Sequence, residues 1–455
     1  MNILLITTDH MRFDNVCANG NHSMVTPALD RMCEQGTRFT RCITPSPVCQ
    51  PARASLFTGR YPSCHGVRRN GIVLPEDEIT LQHVLADSGY YCGHFGKLHF
   101  LPHKERNHRA YHPLYGFHEM RMSDEPGCYP DDYGRWLDAL GPDAREAGRT
   151  SLPGTTRGPM EHYIFRGDPH LTHAWWTASE TIRFIHDNKD RPFFCNTGFY
   201  APHPPLIPPQ DSFDLYEGSE LKPRVYREGE MEDMPAFYKK SAERYADLSE
   251  EEWKTYRRFF YAMVSDVDRN TGRIINALKQ EDLLDDTLII FTSDHGDYLG
   301  DHGLQGKGMP CYNQVLNVPL VIQGPSIPRQ NVCEEIVELT DIMPTVCSMA
   351  GADIPYGVQG MDIFPVITRD EPGREYAYCE YYTDSAERLL TGKKTKYCLY
   401  ASGEEVLFDL EHDPDELYNT ASQPESRQLL DTMRMKLHIR SMNAVDPKPE
   451  RIDWY

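Results

Sequence analysis

Two kinds of hydrophobic spacing alternate along this chain. Ile3-Leu4-Leu5-Ile6 is short, continuous and apolar, and the same pattern returns at Leu288-Ile289-Ile290-Phe291. Runs of this kind fit strands buried on both faces, as in parallel sheets. Val318 to Ile322 and Pro192 to Phe194 predict two more strands. Helical spacing occupies the intervals at Thr80 to Asp87, Ala174 to Asp187 and Glu251 to Lys279. In the last of these Phe260, Met263, Val264, Val267, Ile274, Ile275 and Leu278 fall on one face. Strands alternating with helices predict one large α/β domain, residues 1–365, with a mostly parallel sheet between helices. Downstream the pattern shortens to "EYAYCEYY", "KYCLYAS" and "EVLFDLEHD", followed by a helical segment from Ser426 to Ile439. Residues 366–455 therefore predict a smaller subdomain, an antiparallel sheet with a C-terminal helix. Gln210 to Glu250 and Leu101 to His170, rich in loop-forming residues, are expected as surface excursions near the active face.

The two strongest strands end alike, the first in Thr7-Thr8-Asp9-His10 and the second in Thr292-Ser293-Asp294-His295. Each places an Asp-His pair just past a strand's carboxyl end, where open α/β sheets hold their ligands. One such pair could be a capping aspartate and a core histidine; two at equivalent strand ends point to a shared site. A third feature is "VCQPARASLFTGR", residues 48–60. Pro51 suits a first helical turn, Ala52 to Phe57 can continue it, and Gly59 can close it in the left-handed conformation. Cys49 then sits at a helix N-terminus with Arg53 on its face, and both stabilise negative charge there. Residue chemistry alone leaves open a thiolate nucleophile and a buried structural cysteine.

Composition narrows the partners. The net charge of -21 argues against nucleic acid and acidic membrane surfaces, so an anionic substrate would need a local basic site. Thirteen cysteines without regular spacing or a CxxC pair resemble neither a disulfide framework nor a zinc site, and imply a reducing compartment. "MNILLITTDH" has no secretory signal pattern and no later run approaches the length of a membrane span, so a cytoplasmic protein is expected.

The segment "CQPARASLFTGR" resembles the sulfatase pattern Cys-x-Pro-x-Arg followed by Leu-Thr-Gly-Arg, with Phe57 before the threonine here. The other motifs follow in that family's order: Asp9, "GKLH" (Gly96 to His99), "APHPP" (Ala201 to Pro205), "TSDHGDYLGDHG" (Thr292 to Gly303) and Lys307. The resemblance implies the alkaline-phosphatase-like fold and oxidation of Cys49 to Cα-formylglycine by a formylglycine-generating enzyme. It also implies one divalent ion, Ca²⁺ with Mn²⁺ as the alternative, held by Asp9, Asp294, His295 and the modified Cys49. His10 stands where many sulfatases have aspartate, and is a further candidate ligand. By the same resemblance Arg53 steadies the formylglycine oxygen, Lys97 and Lys307 bind sulfate oxygens, His203 with Lys307 protonates the leaving alcohol, and His99 is the base that starts sulfate expulsion. Asn70, in "RRNG", is placed at a substrate-contacting position, although an Asn-Gly turn accounts for it equally. The implied activity is hydrolysis of a small-molecule or saccharide sulfate ester, with a carbohydrate sulfate favoured over aryl and choline sulfates. Phosphonate monoester or phosphodiester hydrolysis is the alternative, and a metal-stabilised binding protein with unconverted Cys49 is a third reading.

Overall fold

The computed structural model describes residues 1–102, 112–126, 130–144, 146, 161–383 and 386–449. Eight strands form the main sheet: β1 (Asn2–Thr8), β2 (Thr37–Ile43), β3 (Tyr91–Gly96), β4 (Glu119–Met122), β5 (Phe193–Gly198), β6 (Thr287–Ser293), β7 (Asn317–Gln323) and β8 (Asn331–Glu338). Their spatial order is β4-β3-β5-β1-β6-β7-β2-β8. Neighbours pair in parallel except around β7, which runs against both β6 and β2.

The continuous apolar runs have a direct cause in this layering. Ile3 and Leu5 of β1 point into a core with Phe57, Leu81, Leu85, Met343 and Val346. Leu4 and Ile6 enter a second core, on the opposite face, with Leu29, Phe184, Phe260, Val264 and Val267. A strand feeding two cores must be apolar at every position.

The three expected helices span Leu81–Asp87, His173–Asp187 and Glu250–Gln280. Thr172 caps the second by accepting from Trp175 N at 3.2 Å, and Ser249 with Glu252 forms a capping box on the third. β2, β3, β4 and β8 lacked a clear apolar run. Two arginines interrupt β2, glycines and a histidine lie in β3, and β8 is exposed at alternate positions toward its start.

A second sheet follows: β9 (Ala377–Tyr382), β10 (Ala386–Thr391), β11 (Thr395–Tyr400) and β12 (Glu405–Asp409), antiparallel in the order β12-β11-β10-β9. The final helix, Arg427–Asn443, lays Leu430, Met433 and Leu437 against Tyr378, Leu390 and Tyr397 on one face of it. The other face, with Cys379, Leu389, Cys398 and Phe408, packs on Tyr298, Leu304 and Tyr312 after β6. The excursion at 210–250 is more than a surface loop, because Tyr238 is fully buried and its hydroxyl meets that of Tyr400 at 3.1 Å. Within the other excursion lie β4 and the helix Asp132–Leu140; residues 103–111, 127–129, 145 and 147–160 fall outside the described residues. The twelve described cysteines are all unpaired, and no helix among the described residues is long and apolar enough to cross a membrane.

Candidate active site

Four adjacent parallel strands, β3-β5-β1-β6, end on the same side of the sheet, and each contributes a polar group just past its end. Lys97 follows β3, His203 follows β5, Asp9 and His10 follow β1, and Asp294 and His295 follow β6. β3 and β5 approach closely: Lys97 N–H donates to Gly198 O at 2.7 Å, and a side chain at Gly198 would meet Lys97 O at 2.1 Å. Only glycine permits that approach.

Cys49 enters from the side, as the first residue of the helix Cys49–Thr58. All ten residues of this helix are buried, and Gly59, at φ 65°, ends it with an N–H to Ser55 O bond of 2.9 Å. Cys49 Sγ lies 3.3 Å from His295 Nε2, 3.5 Å from Asp9 Oδ1 and 2.5 Å from Lys307 Nζ. Burial and Asp9 push this thiol's pKa up, but Lys307, Lys97 and His295 outweigh them, and it lies below the ordinary value.

Both central imidazoles are anchored at Nδ1. His295 Nδ1–H donates to Gly296 O at 2.8 Å, and His10 Nδ1–H donates to Asp297 Oδ2 at 2.7 Å. Each ring thereby turns Nε2 toward Asp9, whose Oδ1 is 3.4 Å from His295 and 3.8 Å from His10; burial lowers the His295 pKa, but Asp294 and Cys49 outweigh it and hold it above the ordinary imidazole value. His10 Nε2 is buried without a hydrogen-bond partner. One donor atom each from Asp9, His10, Cys49 and His295 lies within 4.8 Å of all the others. A buried, convergent set with one orphaned nitrogen and an imidazole anchored by a carboxylate is the donor chemistry of a metal site. Asp294 stands at its edge: Oδ2 accepts from Arg53 Nε at 2.7 Å, and Oδ1 is 3.7 Å from His295 Nε2.

Arg53 is fully buried, and its other nitrogens donate to Lys97 O at 2.9 Å and Thr8 O at 3.2 Å. It therefore fixes the Asp294 carboxylate and ties together the ends of β1 and β3. Lys97 Nζ contacts Asp9 Oδ2 and lies 4.9 Å from the centre of the Tyr200 ring. With Lys97 on Asp9 and Arg53 on Asp294, each carboxylate already has a cation beside it. Asp9 is held well below the usual carboxylate range: burial raises it, but Lys97 and its cationic neighbours win.

His203 Nε2 is 3.3 Å from Lys307 Nζ, and its Nδ1–H donates to Pro204 O at 2.5 Å. Burial and Lys307 press its pKa well below the ordinary imidazole value, so it rests neutral. His99 is buried on the turn after Lys97 in the left-handed region, φ 60°, and His10 shares that conformation at φ 72°. Non-glycine residues held there concentrate at functional sites. Asn70 lies at the rim, where its Oδ1 accepts from Gln50 N at 3.1 Å and so caps the helix that carries Cys49.

Three supporting residues escaped sequence reasoning. Asp297 anchors His10 and, through Oδ1, accepts from Leu299 N at 2.9 Å and Gly306 N at 3.2 Å, joining the candidate metal ligands to the Lys307 loop. It lies inside the 292–303 motif, and its spacing from His295 was the available signal. Asp124 Oδ1 accepts from Leu98 N at 2.6 Å and His99 N at 2.9 Å, holding the Lys97 turn from a segment with no motif. Tyr200 lies under Lys97.

Comparison with known proteins gives a consistent picture. The sequence model of the family described as Sulfatase matches residues 1–352, and the model for the C-terminal region of N-sulphoglucosamine sulphohydrolase matches residues 300–443. An arylsulfatase of Clostridium perfringens is 30% identical over 470 aligned residues, covering 97% of this chain and 94% of its own. A choline-sulfatase of Rhizobium meliloti is 31% identical, covering 93% of this chain and 83% of its own. The crystal structure of a phosphonate monoester hydrolase of Agrobacterium radiobacter superposes with a TM-score of 0.87 at 26% identity, covering 98% of this chain and 97% of that one. The family pattern runs from β1 through the helix after β8, well over half of the chain, and by that match the protein belongs to the sulfatase family.

Proposed function

We propose that this sulfuric ester hydrolase cleaves its ester with Cys49, oxidised to Cα-formylglycine, as the nucleophile. The observation that carries the reading is the convergence of His295, Lys307 and Asp9 on Cys49 Sγ, the atom that marks where a hydroxyl of the hydrated aldehyde would sit. A geminal diol supplies one hydroxyl to attack sulfur and a second to release sulfate, which a serine or cysteine cannot do. Asp9, His10 and His295 with the modified Cys49 would hold a divalent ion, and Asp294 is close enough to join them. That ion supplies charge that lowers the pKa of a neighbouring hydroxyl. Two imidazole nitrogens suit Mn²⁺ better than Ca²⁺, which prefers an all-oxygen shell, so the donor set weights the proposal toward Mn²⁺.

The chain's own groups divide the remaining work. Lys97 and Lys307 flank the position of the sulfur and would bind the sulfate oxygens as charge builds. An anionic ester between them offsets the pull of Lys307 on His203, which can then hold a proton at Nε2 and pass it to the leaving oxygen. His99 would take the proton of the second hydroxyl during sulfate release.

Peptide mass spectrometry on protein from a competent host tests the reading: the peptide containing Cys49 should carry CHO in place of CH₂SH, and activity should rise with the converted fraction. Full activity in protein that carries only the thiol would overturn it. Phosphonate or phosphodiester hydrolysis remains the second reading, favoured by the imidazole-rich donor set. The ratio of sulfate to phosphodiester turnover on one preparation separates the two.

A further inference from the structure

Beyond Tyr200 lies a small cavity of about 80 Å³ that opens partly to solvent. Tyr200 is the shared wall. Its ring is 4.7 Å from that of His203 on the catalytic side and 6.2 Å from that of His173 on the cavity side. Ala201 and Pro205, which flank His203 in sequence, line the same space. The cavity therefore opens beside the proposed proton donor to the leaving alcohol.

Its walls are chiefly carbon. Tyr133, Phe165, Tyr200, Ile207 and Met263 line it, and the polar ends of the tyrosines are engaged elsewhere. Tyr133 donates to Leu171 O and Tyr200 to Pro204 O, each at 2.6 Å, so both rings offer their faces. Thr172 caps its own helix, and burial lowers the His173 pKa to about 3, which keeps that imidazole neutral. Asp266 is the exception. It is 94% buried (6% exposed), projects from the helix Glu250–Gln280 one turn after Met263, and forms no ion pair among the described residues. Its Oδ1 accepts only a long bond, 3.3 Å, from Asn270 Nδ2. The neighbouring cations are committed: Arg269 to Asp211 at 2.6 Å, and Arg273 to Trp175 O and Asn270 Oδ1.

Burial raises the Asp266 carboxyl to about 7 against the pull of Arg269 and Arg273, and a cationic ligand placed beside it on this wall would hold it ionised. Aromatic faces around it would favour the same kind of ligand, a cation. A sugar, with hydroxyls on every edge, would leave most of them unpaired against this wall. Resting on the sulfatase reading above, we propose that this cavity is the subsite for the leaving alcohol. It takes a compact apolar alcohol that ends in a protonated amine, with Asp266 as the residue that selects the amine. This proposal is an alternative to the carbohydrate ester expected from the sequence.

The test compares tyramine O-sulfate with 4-ethylphenyl sulfate, which has nearly the same shape without the amine, and with glucosamine 6-sulfate. A charged hydrogen bond in a buried site is worth roughly tenfold to a hundredfold. The converted protein should therefore prefer tyramine O-sulfate over 4-ethylphenyl sulfate by about that factor in kcat/KM. Asp266→Asn should collapse the ratio of the two towards one, a change that a merely structural role would not produce, since it would slow both alike. An unchanged ratio in Asp266→Asn, or a preference for glucosamine 6-sulfate over both, would overturn the proposal. Calorimetry with the alcohols alone separates this from the catalytic reading. Tyramine binding more tightly than 4-ethylphenol, with the difference lost in Asp266→Asn, supports the subsite even if no sulfate is released. Equal binding of the two counts against it.

Discussion

Arg53 and Asp294 are both essentially inaccessible to solvent and meet at 2.7 Å, so their energetics can be worked from the structure without a screening discount. Arg53→Met removes the guanidinium, leaves the Asp294 carboxylate buried without its partner, and frees the carbonyls of Lys97 and Thr8. Breaking a buried pair from one side costs about 3–5 kcal/mol, and each unsatisfied carbonyl adds about 1 kcal/mol or more. The expected loss is about 5–7 kcal/mol, a large part of the roughly 5–15 kcal/mol that holds a domain folded. Asp294→Leu strands the guanidinium instead and should cost a similar amount. The double variant, Arg53→Met with Asp294→Leu, removes the stranded charge and should regain about 2–3 kcal/mol relative to either single one. Urea midpoints in metal-free buffer give the order. Arg53→Lys serves if the methionine variant does not fold: it keeps a charge but not the fork, and should fall between wild type and Arg53→Met. A double variant no more stable than Arg53→Met would refute the assignment of Arg53 as the buried partner that holds Asp294 in place.

Three further outcomes are expected. Lys97→Ala should lower sulfate ester turnover by about a hundredfold to a thousandfold, read by ion chromatography of released sulfate; turnover within a factor of about two of wild type would remove Lys97 from the sulfate-binding pair. Asp297→Ala frees the His10 ring and should weaken divalent-ion binding by about tenfold to a hundredfold in calorimetric titration, whereas unchanged affinity would exclude His10 as an anchored ligand. Burial raises the Glu387 carboxyl from 4.5 to about 8, so across that window the folded protein keeps a proton that the unfolded chain has released. Stability then falls as pH rises between those values, and Glu387→Gln should flatten the decline; an identical slope in the variant would show that Glu387 is not its source.

The parts of the fold that the sequence displayed are those governed by burial on two faces. β1 and β6 are apolar at successive positions because each enters both cores, and the long helix after Ser249 shows its period over many turns. β2 and β8 were hidden for the converse reason: they lie at the margin of the sheet, where half the side chains meet solvent and arginine or glutamate is tolerated. β10 was hidden by its charges, Glu387 and Arg388, although Glu387 is buried, a position no spacing rule would assign to it. The site divides in the same way. Asp9, Asp294 and His295 could be placed because strand ends in an α/β sheet converge, and Cys49 because a helix start can be read from Pro51 and Gly59. The His10–Asp297 hydrogen bond depends on how the turn after β6 folds back over β1, which no local pattern encodes. The same holds for Arg53. Its place in the motif implied that it steadies the formylglycine oxygen; its nitrogens bond Thr8 O, Lys97 O and Asp294, and its charge also acts on Cys49. Lys307 and Lys97 also stand close enough to lower the Cys49 pKa, and their turns are held by Asp297 and Asp124 through backbone N–H groups. The two lysines beside Cys49 are therefore placed by two aspartates, Asp297 and Asp124, each of which accepts backbone N–H bonds from the turn that carries one of them.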